Sequence, residues 1–235
     1  MTTLDNLLVY LAVFGFGGIV LFALTKLVRN SVSSQPRVER RTASVISIVL
    51  WGWAILAVIF ALSIGLSFQN LIPMLVVPWF IGVWFMFSTT GSNVLREIPV
   101  HKLISLSVYR IAGFIFIYCY YYCGMLSRGF ALNAGWGDVL TGVLAIPTAL
   151  MVHRGARFSH LIFIIWTAIG IGDLILAPAS AAIYGAEKLT DFPINVIPLF
   201  LGPPFGILLH LITARAYWLQ ANVRNTDVGL AVRGT

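Results

Sequence analysis

The sequence predicts an all-α integral membrane bundle, and three observations carry that reading. The 235 residues are 59% hydrophobic and only 10% charged, with a mean hydropathy of +0.93; soluble domains carry about 25% charged residues. Seven apolar segments, roughly 7–25, 43–67, 71–88, 103–126, 130–152, 161–184 and 193–214, are long enough to cross a bilayer as helices. None alternates apolar and polar residues at every second position, as a membrane barrel would. Lipid offers the backbone no hydrogen bonds, so such segments close their own as helices. A composition like this excludes a soluble enzyme, a disordered chain and a nucleic-acid binder, despite the net charge of +7.

Taken in order, the first segment follows MTTLDNLL, which has Asp5 and no basic residue, so removal as a secretory leader is not expected. Behind it come Lys26, Arg29, Arg37, Arg40 and Arg41. The second and third segments are joined by a few residues around Gln69 and Asn70, which predicts a tight hairpin. Arg96 and Lys102 lie between the third and fourth, Arg154 and Arg157 between the fifth and sixth, and Arg215, Arg224 and Arg233 in the tail. These twelve basic residues fall on one side, against Arg128 and Lys188 on the other. The positive-inside rule therefore predicts the N-terminus outside and the C-terminus in the cytoplasm, which needs an odd number of spans and fits seven. Basic inner loops of this kind set orientation and lie against anionic lipid. Trp51, Trp53, Trp79 and Trp84 read as interface anchors or packing rather than a ligand cage.

Ionisable residues inside a span are costly, and each is a functional candidate. Arg110 stands in VYRIAG of the fourth span, Asp138 in GWGDVLTG of the fifth, Asp173 in GIGDLILA of the sixth and His210 in GILLHLIT of the seventh. At ~1.5 Å per helical residue, Asp138 lies ~12 Å below the outer face and Asp173 ~18 Å above the inner one. In a core of about 30 Å the two carboxylates therefore share a level. Arg110 starts ~10 Å above the inner face and its long side chain reaches toward the centre.

Both aspartates follow the pattern G-x-G-D-hydrophobic. Asp138, Gly142, Ala145 and Ala149 share one helical face, as do Gly170, Asp173, Ala177 and Ala181. Small residues let helices approach closely in lipid, so the spacing predicts a tight pair that hides its acids. G-x-G-D lacks the strand and glycine spacing of a nucleotide loop. Two readings stay open: a salt-bridged network that holds three helices in register, or a site where one acid pairs with Arg110 and the other takes up a proton or cation.

Prolines supply a second clue. Pro73 and Pro78 lie in the third span, Pro147 in the fifth, Pro178 in the sixth, and Pro198, Pro203 and Pro204 in FPINVIPLFLGPPFG. A regular helix does not run through that last stretch. Broken spans mark substrate sites in transporters, and Asn195 within it joins the candidate ligand-binding set; the plainer reading is a kink satisfied by neighbouring helices. His101, His153, His160 and His210 all map to the cytoplasmic half or edge. Only His210 lies within a span, which makes it the candidate for haem, a pigment or a metal. Cys119 and Cys123, at i and i+4, read as small buried hydrophobes rather than a redox or zinc motif. The seventh span has no lysine for a retinal linkage, and neither HExxH nor G-x-S-x-G occurs. No catalytic constellation argues for an enzyme.

The stretches VYRIAG, FALNAGWGDVLTGVLAIP and FPINVIPLFLGPPFGILLHLI, over about residues 105–215, resemble a family of uncharacterised bacterial multi-pass membrane proteins. The resemblance implies a bacterial cytoplasmic (inner) membrane and no particular activity. The leading expectation is a single seven-helix domain that binds or transports a small solute or ion, with proton coupling, through Arg110, Asp138, Asp173 and Asn195. The alternatives are a non-enzymatic accessory subunit of a larger membrane complex, and a haem, pigment or metal carrier using His210. Expected partners are membrane lipids, the small solute or ion, and other membrane proteins or further copies of the chain, with no nucleic acid.

Overall fold

The structure is a computed structural model, and it describes residues 3–32, 37–63, 68–124, 126–184, 196–197 and 201–233. Among them there is helix and no strand. Helix α1 (Thr3–Tyr10) passes through a π-helical stretch, Leu11–Gly15, into α2 (Phe16–Val32). Helices α3 (Arg37–Ser63) and α4 (Phe68–Phe87) follow, then two short helices, α5 (Thr89–Glu97) and α6 (Val100–Leu106). A 3-10 segment, Ser107–Gly113, leads into α7 (Phe114–Tyr121), and the long α8 (Arg128–Arg154), α9 (Ser159–Tyr184) and α10 (Pro203–Arg233) complete the chain.

Among the described residues, five stretches are long and apolar enough to cross a membrane by length and composition: Leu7–Ser31, Arg41–Leu62, Val100–Tyr121, Arg128–Arg154 and Ser159–Tyr184. They match the first, second, fourth, fifth and sixth expected spans. The third corresponds to α4, within which Val76–Phe87 counts as a shorter apolar helix. The seventh falls partly outside the described residues and continues as α10. Large apolar side chains line the outside of these helices, among them Ile48, Phe80, Trp84 and Ile183. In a bilayer that surface meets acyl chains at no cost.

Local sequence explains the ends. Ser88 caps α5, accepting from the Gly91 amide at 2.9 Å. Residues 89–102, a connection between spans by hydropathy, include this helix, which turns Gly91, Val94 and Leu95 inward. Helix α8 begins at Ser127, whose hydroxyl accepts from the Phe130 amide. It stops at Gly155, whose φ of 61° is a left-handed conformation that favours glycine. Both α8 and α9 continue through their internal prolines, Pro147 and Pro178.

The fourth expected span is not a uniform α-helix. A 3-10 segment has three residues per turn, so side chains three apart stand over one another. Ser107, Arg110 and Gly113 thus form one row, and all three are buried. Within that row Gly113 packs against the Asp138 side chain of α8 and Arg110 bonds to it.

Candidate functional site

The approach of three backbones builds the site. A Cβ on Gly142 of α8 would stand 2.7 Å from the Ile111 amide nitrogen and 3.2 Å from the Arg110 carbonyl carbon. A Cβ on Gly113 would meet the Asp138 side chain, and one on Gly135 would meet Ile117. Between α8 and α9, a Cβ on Gly137 would collide with the Asp173 carboxylate. A larger residue at Gly142 would press on backbone, and at Gly113, Gly135 or Gly137 the facing side chain would have to move.

Arg110 fills the space between them, with its side chain 1% exposed. Its Nε donates to Asp138 Oδ1 at 2.7 Å, and Nη2 donates to Asp173 Oδ2. Its Nη1 donates to the Gly170 carbonyl at 3.0 Å and faces His210 Nε2 at 3.2 Å. Arginine has no acceptor, so His210 Nε2 accepts here and the ring proton sits on Nδ1. Nδ1 itself is buried without a hydrogen-bond partner. The carboxylates keep slightly more exposure than the guanidinium, at 19% for Asp138 and 10% for Asp173. One cation thus stands between two acids, and with both ionised the group carries one net negative charge.

An outer layer fixes these groups. The His210 ring lies 4.4 Å from that of Trp166, centroid to centroid, and a Cβ on Gly170 would strike it. Trp166 Nε1 donates to the Thr141 carbonyl at 3.1 Å, tying α9 to α8. Tyr109, next to Arg110, donates its hydroxyl to the Leu201 carbonyl at 2.7 Å and sets its ring edge-on to Phe205. Beside Arg110 and Asp138 is a cavity of about 30 Å³, lined also by Tyr109, Gly113, Ile197 and Leu201. That is room for a water or a bare small ion, given the ~10–15 Å³ a water requires.

The structure therefore brings Arg110, Asp138 and Asp173 into contact, and adds His210, which sequence reading held apart as a metal candidate. Asn195 lies outside the described residues. His101 and His153 pair at the far end of α6 and α8, with ring centroids 4.3 Å apart, and His160 packs on Tyr217 and Trp218. Among the described residues no group of three or more His, Cys, Asp and Glu is placed to hold a metal ion. The repeated G-x-G-D motif is not used alike in its two copies. Gly135, Gly137 and Gly170 are all contact points, whereas Gly172 faces open space.

Fold and site together define a helical protein with, among the described residues, five membrane-length helical stretches, three of which meet α10 at a buried Arg–Asp–Asp–His cluster. The chain belongs to the family DUF8737, a domain of unknown function, whose model matches residues 67–216. That range contains all four residues of the cluster. No curated protein and no solved structure matches the chain.

Proposed function

We propose that this is a seven-span bacterial inner-membrane protein, N-terminus outside and C-terminus in the cytoplasm, that binds or moves a proton or small cation at the Arg110–Asp138–Asp173–His210 cluster. The observation that carries the reading is the charge count: one guanidinium between two buried carboxylates leaves a single negative charge, which one proton or one monovalent cation balances. The 30 Å³ cavity against Arg110 and Asp138 has the size for such an occupant or its water. A larger solute needs the helices to part, and its transport would be coupled to the same charge. The twelve-to-two bias of basic residues supports the orientation.

The experiment is proton flux into proteoliposomes under a potassium diffusion potential, followed with an internal pH dye. The expected result is a flux that falls at least tenfold in both Asp138→Asn and Asp173→Asn. Equal flux in wild type and both variants, all folded, sinks the proposal.

A second reading has one specific observation in its favour. Protein groups already engage Nε, Nη1 and Nη2 of Arg110, as in a network built only to hold helices in register. On that reading the protein is an accessory subunit, and mild extraction from native membrane recovers it with a partner at fixed stoichiometry.

A further inference from the structure

A second cavity lies away from the cluster. It is a groove of about 970 Å³ between α3 on one side and α4, α5 and α10 on the other. Its walls are apolar over most of their length, carried by Val45, Val49, Trp53, Ile81, Trp84 and Leu208. Val45, Val49, Ile81 and Trp84 are also exposed on the outside of the molecule, so the groove opens sideways. In a membrane that opening faces acyl chains.

Charge and hydroxyls are confined to one end. Arg41 is the only charged residue lining the groove among the described residues, and it stands with Thr42, Ser88, Thr89 and Thr90. A second cation, on α10, lies outside the lining itself. Arg215 follows the lining residue Ile212 by one turn of α10, and its guanidinium lies over the ring of Phe87, next to Ser88. The Arg215 Nε is buried without a hydrogen-bond partner. From Arg41 to Trp53 the α3 wall runs twelve residues, or ~18 Å at the helical rise. An apolar slot of that length, open toward lipid, with one guanidinium and a set of hydroxyls lining its end and a second guanidinium a helical turn beyond Ile212, matches a long hydrocarbon tail that carries an anionic head.

We propose that the groove is a binding site for an anionic phospholipid, with an acyl chain laid along α3 and α4 and the phosphate at Arg41 and Arg215. Two features select this occupant over a protein helix: the charge is all of one sign and sits at one end, and the opening lies in the apolar belt. A transmembrane partner helix has no reason to bring a negative charge to that mouth, whereas a phosphate ester at the membrane surface brings one by its chemistry. The inference does not depend on what the Arg110 cluster does.

Native mass spectrometry on the full chain, delipidated in detergent and titrated with phosphatidylglycerol or phosphatidylcholine of identical chains, tests it. The expected result is one discrete phosphatidylglycerol adduct, bound at least tenfold more tightly than phosphatidylcholine. Val49→Trp, which fills the slot, should abolish that adduct. The double variant Arg41→Gln/Arg215→Gln should keep an adduct but lose the preference for phosphatidylglycerol. If Val49→Trp does not fold, the double variant decides alone, because its changes lie at the mouth. No discrete adduct, an adduct indifferent to Val49→Trp, or a preference that survives loss of both arginines overturns the proposal. So does a dimer of the chain that Val49→Trp dissociates, which would make the groove a subunit interface.

Discussion

Where the Ser107–Gly113 segment crosses α8, backbone meets backbone; where α3 faces α4 and α10, a groove of about 970 Å³ separates them. The glycines record the contrast. In the first region, Gly113, Gly135, Gly137, Gly142 and Gly170 are each pressed against a neighbour that leaves no room for a Cβ. In the N-terminal helices, Gly15, Gly18 and Gly52 have nothing within 4 Å, and only Gly17 touches a side chain, that of Leu201. The difference follows from what each region buries. A charged cluster in lipid is tolerable only when every charge has a partner at hydrogen-bond distance, and that demands close helices. An apolar wall has no such requirement, because lipid tails solvate it as well as another helix would. The family match, residues 67–216, spans the whole close-packed region and leaves α1–α3 outside.

The largest expected effect is at the cluster. Arg110→Leu leaves two carboxylates without their cation and should cost about 3–5 kcal/mol, the range for breaking a buried ion pair from one side. Asp173→Asn should cost far less, on the order of 1 kcal/mol, because the amide oxygen still accepts from Arg110 and the remaining pair is neutral. Unfolding in mixed micelles at increasing denaturing-detergent fraction measures both. Equal losses would show that charge balance does not govern this region.

Next come the glycines. Gly137→Ala and Gly170→Ala should each lose about 1–3 kcal/mol by overpacking, since the new methyl meets the Asp173 carboxylate in one case and the His210 ring in the other. Gly172→Ala and Gly52→Ala, into open space, should be neutral or gain up to about 0.5–1 kcal/mol, as Gly to Ala does within a helix. The same unfolding assay reads all four. A uniform response would erase the contrast drawn between the two regions. Tyr109→Phe removes the hydroxyl bonded to the Leu201 carbonyl and should cost about 1 kcal/mol. Slower-exchanging amides around residues 202–206 in the variant than in wild type would contradict it.

Much of this arrangement was legible in the residues. Hydropathy located the membrane-length helices, and the rise per residue put Asp138 and Asp173 at one level, where the structure has both on Arg110. Asp138, Gly142, Ala145 and Ala149 were recognisable as a close-packing face from spacing alone, and Gly142, Ala145 and Ala149 are buried. The place of His210 was only half legible. It lies about a turn from the inner end of its span and Arg110 lies ~10 Å in, so depth allowed their meeting. What depth does not give is azimuth, the side of the helix that faces inward.

Composition and period thus determined by themselves that this chain is helical, that it has membrane-length apolar segments, and which few ionisable residues those segments contain. Each of those facts is a one-dimensional property of the chain: length, hydropathy or spacing. Only the tertiary structure decided that residues 107–113 tighten into a 3-10 segment, that three of the four motif glycines are contact points and the fourth is not, and that His210 joins the cluster. The physical reason is that these outcomes depend on how helices far apart in sequence rotate against one another. That rotation is set by the fit of glycine gaps to facing side chains, which no single segment contains.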